Sequence, residues 1–278
     1  MTTAKIVEMI KGLFYGPFYD AGNYIWNFVM TLVYGAMTTT PQGYSKDAWD
    51  YVVNVLYPWS LGIGATLLNL FFLIGFFKQT ANIKENLTTE IFISLVVRLI
   101  MANVLMLSGL DLIQGFFMLS SGLSAQVFYQ PPSYAWSGVS ANDMIFFWSI
   151  YGVLYMCVAI VSAVMIFLAV YGRYLKLYLA VATGAPALST LAGGIGIENT
   201  AYAWIKGFLG YVFEIVIIAI ELSVAGKIIG GIDWGQLDGM LGFLTNESAK
   251  AAQAMFTMVI MAGSVKGTDV FMHKMYAL

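Results

Sequence analysis

Charged, thiol and imidazole side chains are scarce in this 278-residue chain. Only 10% of its residues are charged, against about 25% in a typical soluble domain, while 60% are hydrophobic. It has one cysteine, Cys157, and one histidine, His273. A single cysteine excludes an internal disulfide, and no Cys/His pattern with zinc spacing exists. The net charge of −2, without a basic cluster, gives no sign of a nucleic-acid surface.

Enzyme motifs are missing too. The chain has no G-x-x-x-x-G-K-[ST] loop for nucleotide phosphates, no G-x-S-x-G elbow and no H-E-x-x-H zinc motif. The cluster "GGIGIE" (193–198) lacks the preceding strand of a dinucleotide site and is more typical of a turn. We therefore predict a non-enzymatic protein, with no catalytic residue, cofactor or metal.

Long apolar runs are abundant. A run of about 20 apolar residues crosses the hydrocarbon core as a helix. The pattern predicts an all-α, polytopic bundle with a membrane core over 55–226. Its five core spans are expected at about 57–77, 91–119, 144–171, 174–192 and 204–225.

The two ends of the chain are less apolar. "IVEMIKGLFYGPF" mixes Ile and Leu with charges and predicts an uncleaved helix lying in the interface, within an N-terminal segment 1–54 that ends in an outside loop. We expect 227–278 to be a Gly-rich segment with a short apolar tail on the cytoplasmic side. Whether 24–37 and 254–263 cross the membrane is left open by their length.

Orientation follows from the bias of Lys and Arg toward cytoplasmic loops. Basic residues follow spans one, three and five, at Lys78, Arg173 and Lys227. The connections 120–143 and 193–203 contain none. The pattern predicts that these two connections lie outside and the basic loops inside.

Beyond the first three residues of each predicted span, four charges fall within the spans: Arg98, Asp111, Glu214 and Glu221. Glu214 and Glu221 are seven residues apart, so both face one side of a helix, about 10 Å from each other. The predicted depth of Arg98 lies between them. We favour a polar clasp of Arg98 with both carboxylates that fixes helix register, and the alternative is a proton or ion path. Asp111 is expected at the outer interface.

The stretch "RYLKLYLAVATGAPALSTLAGGIGIENTAYAWIKGFLGYVFE" (173–214) resembles the TrbL-like inner-membrane subunit of type IV secretion and conjugation systems. Gly184 and Pro186 match the family's interrupted penultimate helix. Asn199 and Thr200 match its polar pair after a small-residue turn, and Trp204 matches the Trp that opens the last core helix. The five-span layout resembles the family as well.

The resemblance implies a channel or scaffold subunit in the bacterial cytoplasmic membrane that supports DNA or protein translocation, and possible pilus assembly. It implies work with a cytoplasmic ATPase, small membrane subunits, pilin and relaxase-bound single-stranded DNA, and a homo-oligomer in the lipid bilayer. The alternative is a stand-alone secondary transporter or ion channel that uses Arg98, Glu214 and Glu221.

Overall fold

The computed structural model describes residues 2–81, 89–128, 141–194, 196–230 and 246–275. Every regular element in these ranges is helical. The α-helices are α1 (Thr3–Ile10), α2 (Gly16–Thr38), α3 (Pro41–Tyr44), α4 (Lys46–Tyr51), α5 (Tyr57–Ala81), α6 (Thr89–Val127), α7 (Phe146–Ile150), α8 (Gly152–Ser189), α9 (Asn199–Gly230) and α10 (Asn246–Met275). Single π-helical turns join α1 to α2 and α4 to α5, and a 3₁₀ turn, Thr190–Gly193, extends α8.

Helices of membrane-crossing length dominate the structure. Within the described residues, five are long and apolar enough to cross a bilayer: Lys46–Lys78, Phe92–Val127, Gly152–Gly193, Asn199–Ile228 and Ser248–Met272. Continuous helices keep every backbone group hydrogen-bonded where hydrocarbon offers no partner. The prediction of an all-α polytopic protein is confirmed, and the chain is a multi-pass membrane protein.

The predicted third and fourth spans form one helix, which corrects the division at 171–174. Helix α8 is continuous over 38 residues, about 57 Å at 1.5 Å per residue. Gly184 and Pro186 interrupt the sequence pattern but not the helix. Proline is tolerated in a membrane helix where neighbouring groups satisfy the backbone. The carbonyl that loses its amide donor to the proline is that of Ala182, four residues earlier. One turn beyond, the Ser189 hydroxyl donates to the Pro186 carbonyl at 2.6 Å.

The ends of the chain also differ from the prediction. The short apolar tail 254–263 belongs to the 30-residue helix α10. The first span begins at Lys46 rather than near 57. The polar stretch before it supplies two helix caps: Thr40 accepts from Gly43 N at 3.3 Å, and Ser45 accepts from Ala48 N at 3.4 Å. Such N-caps satisfy backbone donors at a helix start.

The chain forms two compact units. Unit 1 comprises Met1–Thr38, Leu123–Tyr171 and Ile215–Val270, and unit 2 comprises Thr39–Gly122, Gly172–Glu214 and Phe271–Leu278. The long helices α6, α8 and α9 each contribute residues to both.

In unit 1, α2 packs against the start of α8. The Tyr155 hydroxyl donates to Asn23 Oδ1 at 2.6 Å, and the Tyr19 hydroxyl donates to the Trp148 carbonyl at 2.7 Å. Burial raises the pKa of Tyr19 to about 12, so this hydroxyl keeps its proton near neutral pH. Lys11 is buried and donates to the Met144 carbonyl. The N-terminal segment is therefore anchored by contacts with other parts of the protein. The sequence analysis predicted a helix in the membrane interface and did not predict these contacts.

In unit 2, an aromatic core holds α4, α6, α8 and α9 together. Trp49 meets Phe117 edge-on with ring centroids 5.9 Å apart, and Phe117 lies 6.0 Å from Phe208. Leu177 of α8 is fully buried in the same cluster. Aromatic pairs in such arrangements stabilise by about 0.5–1.5 kcal/mol beyond the area they bury.

Two glycines let α5 approach the end of α8 closely. A Cβ added at Gly64 would lie 2.9 Å from the Ala185 carbonyl carbon, and one at Gly75 would lie 2.7 Å from the Gly193 carbonyl oxygen. Small residues at such positions allow backbones of membrane helices to touch. The contact of Gly75 with Gly193 brings the end of α5 beside the end of α8.

Substituting Gly75→Ala should destabilise this contact, because the new methyl group meets backbone that cannot rotate away. We expect a loss of about 1–3 kcal/mol, typical of overpacking. Thermal unfolding in detergent measures it. Gly62→Ala in the same helix is the matched control, since its added Cβ has nothing within 4 Å. Equal melting temperatures for the two variants would contradict the close approach.

Candidate functional site

Arg98 pairs with a carboxylate that the sequence analysis did not consider. Its Nη1 lies 3.0 Å from Glu198 Oε2, and the two side chains are 33% and 24% exposed. Glu198 directly precedes α9, in the turn predicted to lie outside. The predicted clasp is corrected on this point, because the carboxylate that meets Arg98 is Glu198 rather than Glu214 or Glu221.

This ion pair also corrects the predicted topology. Arg98 lies in the first third of α6, and Glu198 follows the end of α8. Together with the Gly75–Gly193 contact, the pair places Gly193 and Glu198 at the end of unit 2 where α5 ends and α6 begins. The prediction that Glu198 and the end of α5 lie on opposite sides is therefore wrong, while residues 82–88 of the predicted loop lie outside the described residues.

The turn after α8 owes its shape to glycine. Gly194 and Gly196 have φ of 71° and 93°, values that side chains with a Cβ rarely adopt. The reading of "GGIGIE" as a turn agrees with these angles. Asn199 begins α9, and the Thr200 amide donates to the Ile197 carbonyl at 3.2 Å.

Glu221 lies in unit 1 and is bonded to α10. Its carboxylate accepts a hydrogen bond from the Thr268 hydroxyl. The helix that supplies Thr268 was predicted only as a short tail, so no sequence signal could have paired them. A hydroxyl donor lowers the cost of placing a carboxylate within a membrane span.

Glu214 lies in the interior of unit 2 with an unforeseen arginine. Arg173 is 2% exposed and Glu214 is 4% exposed. Arg173 Nε donates to the Tyr211 carbonyl at 2.9 Å, and Nη2 donates to the Val212 carbonyl at 3.3 Å. The negative charge of Glu214 acts on the guanidinium from the same helix, α9.

One part of the guanidinium remains unsatisfied. Arg173 Nη1 is buried and has no hydrogen-bond acceptor within the described part of the chain. A buried charge is costly unless it is paired and hydrogen-bonded, so Glu214 and the two carbonyls must offset most of the cost of burying Arg173. The sequence placed Arg173 in a cytoplasmic loop because "GRYLK" resembles the basic end of a span.

A groove opens between α8 and α9 beside this pair. Its volume is about 370 Å³, and its lining includes Lys176, Thr183, Trp204, Phe208 and Tyr211. The Lys176 ammonium lies 5.3 Å from the centroid of the Tyr211 ring, a cation–π contact. Trp204 Nε1 donates to Thr183 Oγ1 at 3.3 Å. The groove is thus aromatic and carries one cation.

Two of the motif residues, Gly184 and Trp204, meet beside this groove. A Cβ at Gly184 would lie 3.0 Å from the Trp204 ring, so the glycine leaves room for the indole. Trp204 stacks on Phe208 with ring centroids 5.4 Å apart. Pro186 follows on α8, while Asn199 and Thr200 lie at the start of α9.

Asp111 lies near the midpoint of the helical span Phe92–Val127 and is exposed. Because that 36-residue span is longer than the hydrocarbon core, its place at the outer interface stays a prediction. Over the residues that the structure covers, no group of three or more His, Cys, Asp or Glu side chains could hold a metal ion.

Comparison with known proteins yields no relative. No family model, curated protein or solved structure matches the chain.

Replacing Arg173 with Met should destabilise the protein, because the buried Glu214 would lose the opposite charge of the guanidinium. Removing one partner of a buried ion pair costs about 3–5 kcal/mol, and this figure is the upper limit of the expected loss. Unfolding of the detergent-solubilised protein measures the loss. Lys176→Met, on the same helix, is the control and should have a smaller effect.

A second substitution separates charge from packing. Glu214→Gln in the Arg173→Met background removes the remaining buried carboxylate charge and should restore part of the lost stability. If Arg173→Met is as stable as the wild type, or the double variant is less stable than Arg173→Met alone, the buried pair does not act as described.

Proposed function

We propose that this protein is a non-enzymatic channel or scaffold subunit of a conjugative type IV secretion system in the bacterial cytoplasmic membrane. It supports translocation of DNA and protein, with pilus assembly as a further role. Its partners are a cytoplasmic ATPase, small membrane subunits and pilin, with transient contact to relaxase-bound single-stranded DNA. Copies of the chain associate as a homo-oligomer.

The observation that carries this proposal is the contact between Gly184 and Trp204. These two residues carry much of the resemblance to TrbL-like subunits, although they are 20 positions apart in the chain. A Cβ added at Gly184 would lie 3.0 Å from the Trp204 ring, so the indole lies against the glycine. The resemblance therefore rests on residues that pack together as one feature of the α8–α9 pair, which supports the proposal.

The long helices support it as well. Helix α6 has 39 residues and would extend about 58 Å, well beyond a hydrocarbon core of roughly 30 Å. Tilts of up to about 40° shorten its projection but do not reduce it to that thickness. In a large assembly, neighbouring subunits would cover the part of α6 that extends beyond the hydrocarbon core.

The alternative, a stand-alone transporter or ion channel, would use Arg98, Glu214 and Glu221 together. Each of these residues has a different neighbour in the structure: Glu198, Arg173 and Thr268. Because the three residues have separate neighbours, this arrangement does not favour a continuous proton or ion path. One observation favours the alternative: Glu214 is a carboxylate buried inside a membrane span, as ion-path residues of transporters are.

Deleting the gene from a conjugative host should abolish DNA transfer to recipient cells, because the translocation channel would be incomplete. A wild-type copy in trans should restore it, and a copy with Gly184→Val should restore it poorly. Gly172→Val on the same helix is the control, since a Cβ there has nothing within 4 Å. Mating frequency and the membrane level of each variant are the measurements.

Transfer at wild-type frequency after deletion would contradict the proposal. The purified protein in liposomes provides the complementary test. Dissipation of a proton or sodium gradient by the protein alone, lost on Glu214→Gln, would favour the transporter.

A further inference from the structure

The groove between α8 and α9 has the size and the lining of a ligand site. Its volume of about 370 Å³ falls within the roughly 300–1,000 Å³ that is typical of small-molecule pockets. Such pockets are lined mainly by apolar and aromatic side chains with a few polar groups. Here the rings of Trp204, Phe208 and Tyr211 line the groove together with Leu179 and Lys176. Every lining residue belongs to unit 2.

The aromatic wall of the groove is held in place by its neighbours. Trp204 Nε1 donates to Thr183 Oγ1 at 3.3 Å, and the Thr183 hydroxyl in turn donates to the Leu179 carbonyl at 2.9 Å. The indole also stacks on the Phe208 ring with the two planes 5° apart, and Gly184 leaves room for it. A wall that is already ordered adds little entropic cost when a ligand binds.

The groove carries a positive charge. Among the described residues that line it, Lys176 alone is charged. Its ammonium lies 5.3 Å from the centroid of the Tyr211 ring, and a cation–π contact attracts a cation without neutralising it. Arg173 and Glu214, which lie nearby on the same two helices, carry opposite charges. The helix pair therefore presents a net positive charge at the groove, which favours an occupant with a negative group.

The apolar lining narrows the chemistry of that occupant. A small polar anion would leave the rings of Trp204 and Phe208 without an apolar partner, whereas an anion that carries a hydrocarbon chain would cover both. An anionic phospholipid combines the two parts in one molecule, and the bilayer around a multi-pass protein supplies it. Basic pockets between transmembrane helices bind the phosphate groups of such lipids.

We propose that the α8–α9 groove binds one anionic phospholipid. The lipid phosphate lies on the Lys176 ammonium, and an acyl chain lies along the rings of Trp204 and Phe208. The inference goes beyond the proposed secretion role and does not rest on it.

Native mass spectrometry of the full-length protein in detergent tests this site. The protein is titrated with phosphatidylglycerol and with phosphatidylcholine that have identical acyl chains, so the two lipids differ only in the head group. We expect the first bound lipid to favour phosphatidylglycerol by about fivefold in affinity, the effect of one basic side chain on an anionic lipid. Equal affinities for the two lipids would overturn the proposal.

Substitutions locate the site and separate charge from structure. Lys176→Met should abolish the preference for phosphatidylglycerol, whereas Lys176→Arg keeps the charge and should retain it. Lys206→Met is the matched control, because Lys206 is an exposed cation of α9 outside the groove lining, and it should retain the preference. Ala203→Phe places a ring in the groove from an exposed position and should weaken binding of both lipids. Thermal unfolding of each variant reports whether its fold is intact.

The remaining outcomes reject the proposal in different ways. An equal loss of preference in Lys206→Met and Lys176→Met would show a general effect of surface charge. Unchanged lipid binding by Ala203→Phe would place the lipid elsewhere. Displacement of phosphatidylglycerol from the wild-type protein by inorganic phosphate would show an anion site that needs no acyl chain. Mating frequency is not a readout here, so failure leaves the secretion role to its own test.

Discussion

A guanidinium in the middle of a membrane helix constrains much of unit 2. Arg173 is buried on α8, where hydrocarbon could not accept its hydrogen bonds. The carbonyls of Tyr211 and Val212 do so instead, and Glu214 supplies the opposite charge. These contacts set the register of α8 against α9. The groove, the stacking of Trp204 on Phe208 and the contact of Trp204 with Gly184 all belong to this helix pair.

The fold class could be predicted because apolar run length is a direct physical requirement of the bilayer. The division of the apolar runs into separate spans could not be predicted. A basic residue can lie in a cytoplasmic loop or in the interior of a helix bundle, and the sequence alone does not distinguish the two. Arg173 and Lys176 suggested a loop, but one binds backbone carbonyls and the other lies over the Tyr211 ring. Helix α10 was underestimated because its charges, including Lys250 and Lys266, dilute its hydropathy.

One error in the helix division led to another in the site. Splitting α8 into two spans placed Gly193 and Glu198 on the side of the membrane opposite the end of α5. With α8 continuous, Glu198 arrives beside Arg98 at 3.0 Å. The carboxylates of Glu214 and Glu221 were correctly singled out as unusual, but their neighbours, Arg173 and Thr268, come from segments whose place in the fold was not predicted. Partner choice is tertiary information that spacing along one helix does not contain.

The central claim is that α8 crosses the membrane once, so the turn before α9 lies on the same side as the end of α5. Single cysteines at the exposed positions Lys46, Lys78 and Asn199, in a Cys157→Ser background, test it with a membrane-impermeant thiol reagent. We predict that Lys78→Cys and Asn199→Cys are labelled from one side and Lys46→Cys from the other. Labelling of Asn199→Cys together with Lys46→Cys, from the side opposite Lys78→Cys, would contradict the continuous helix.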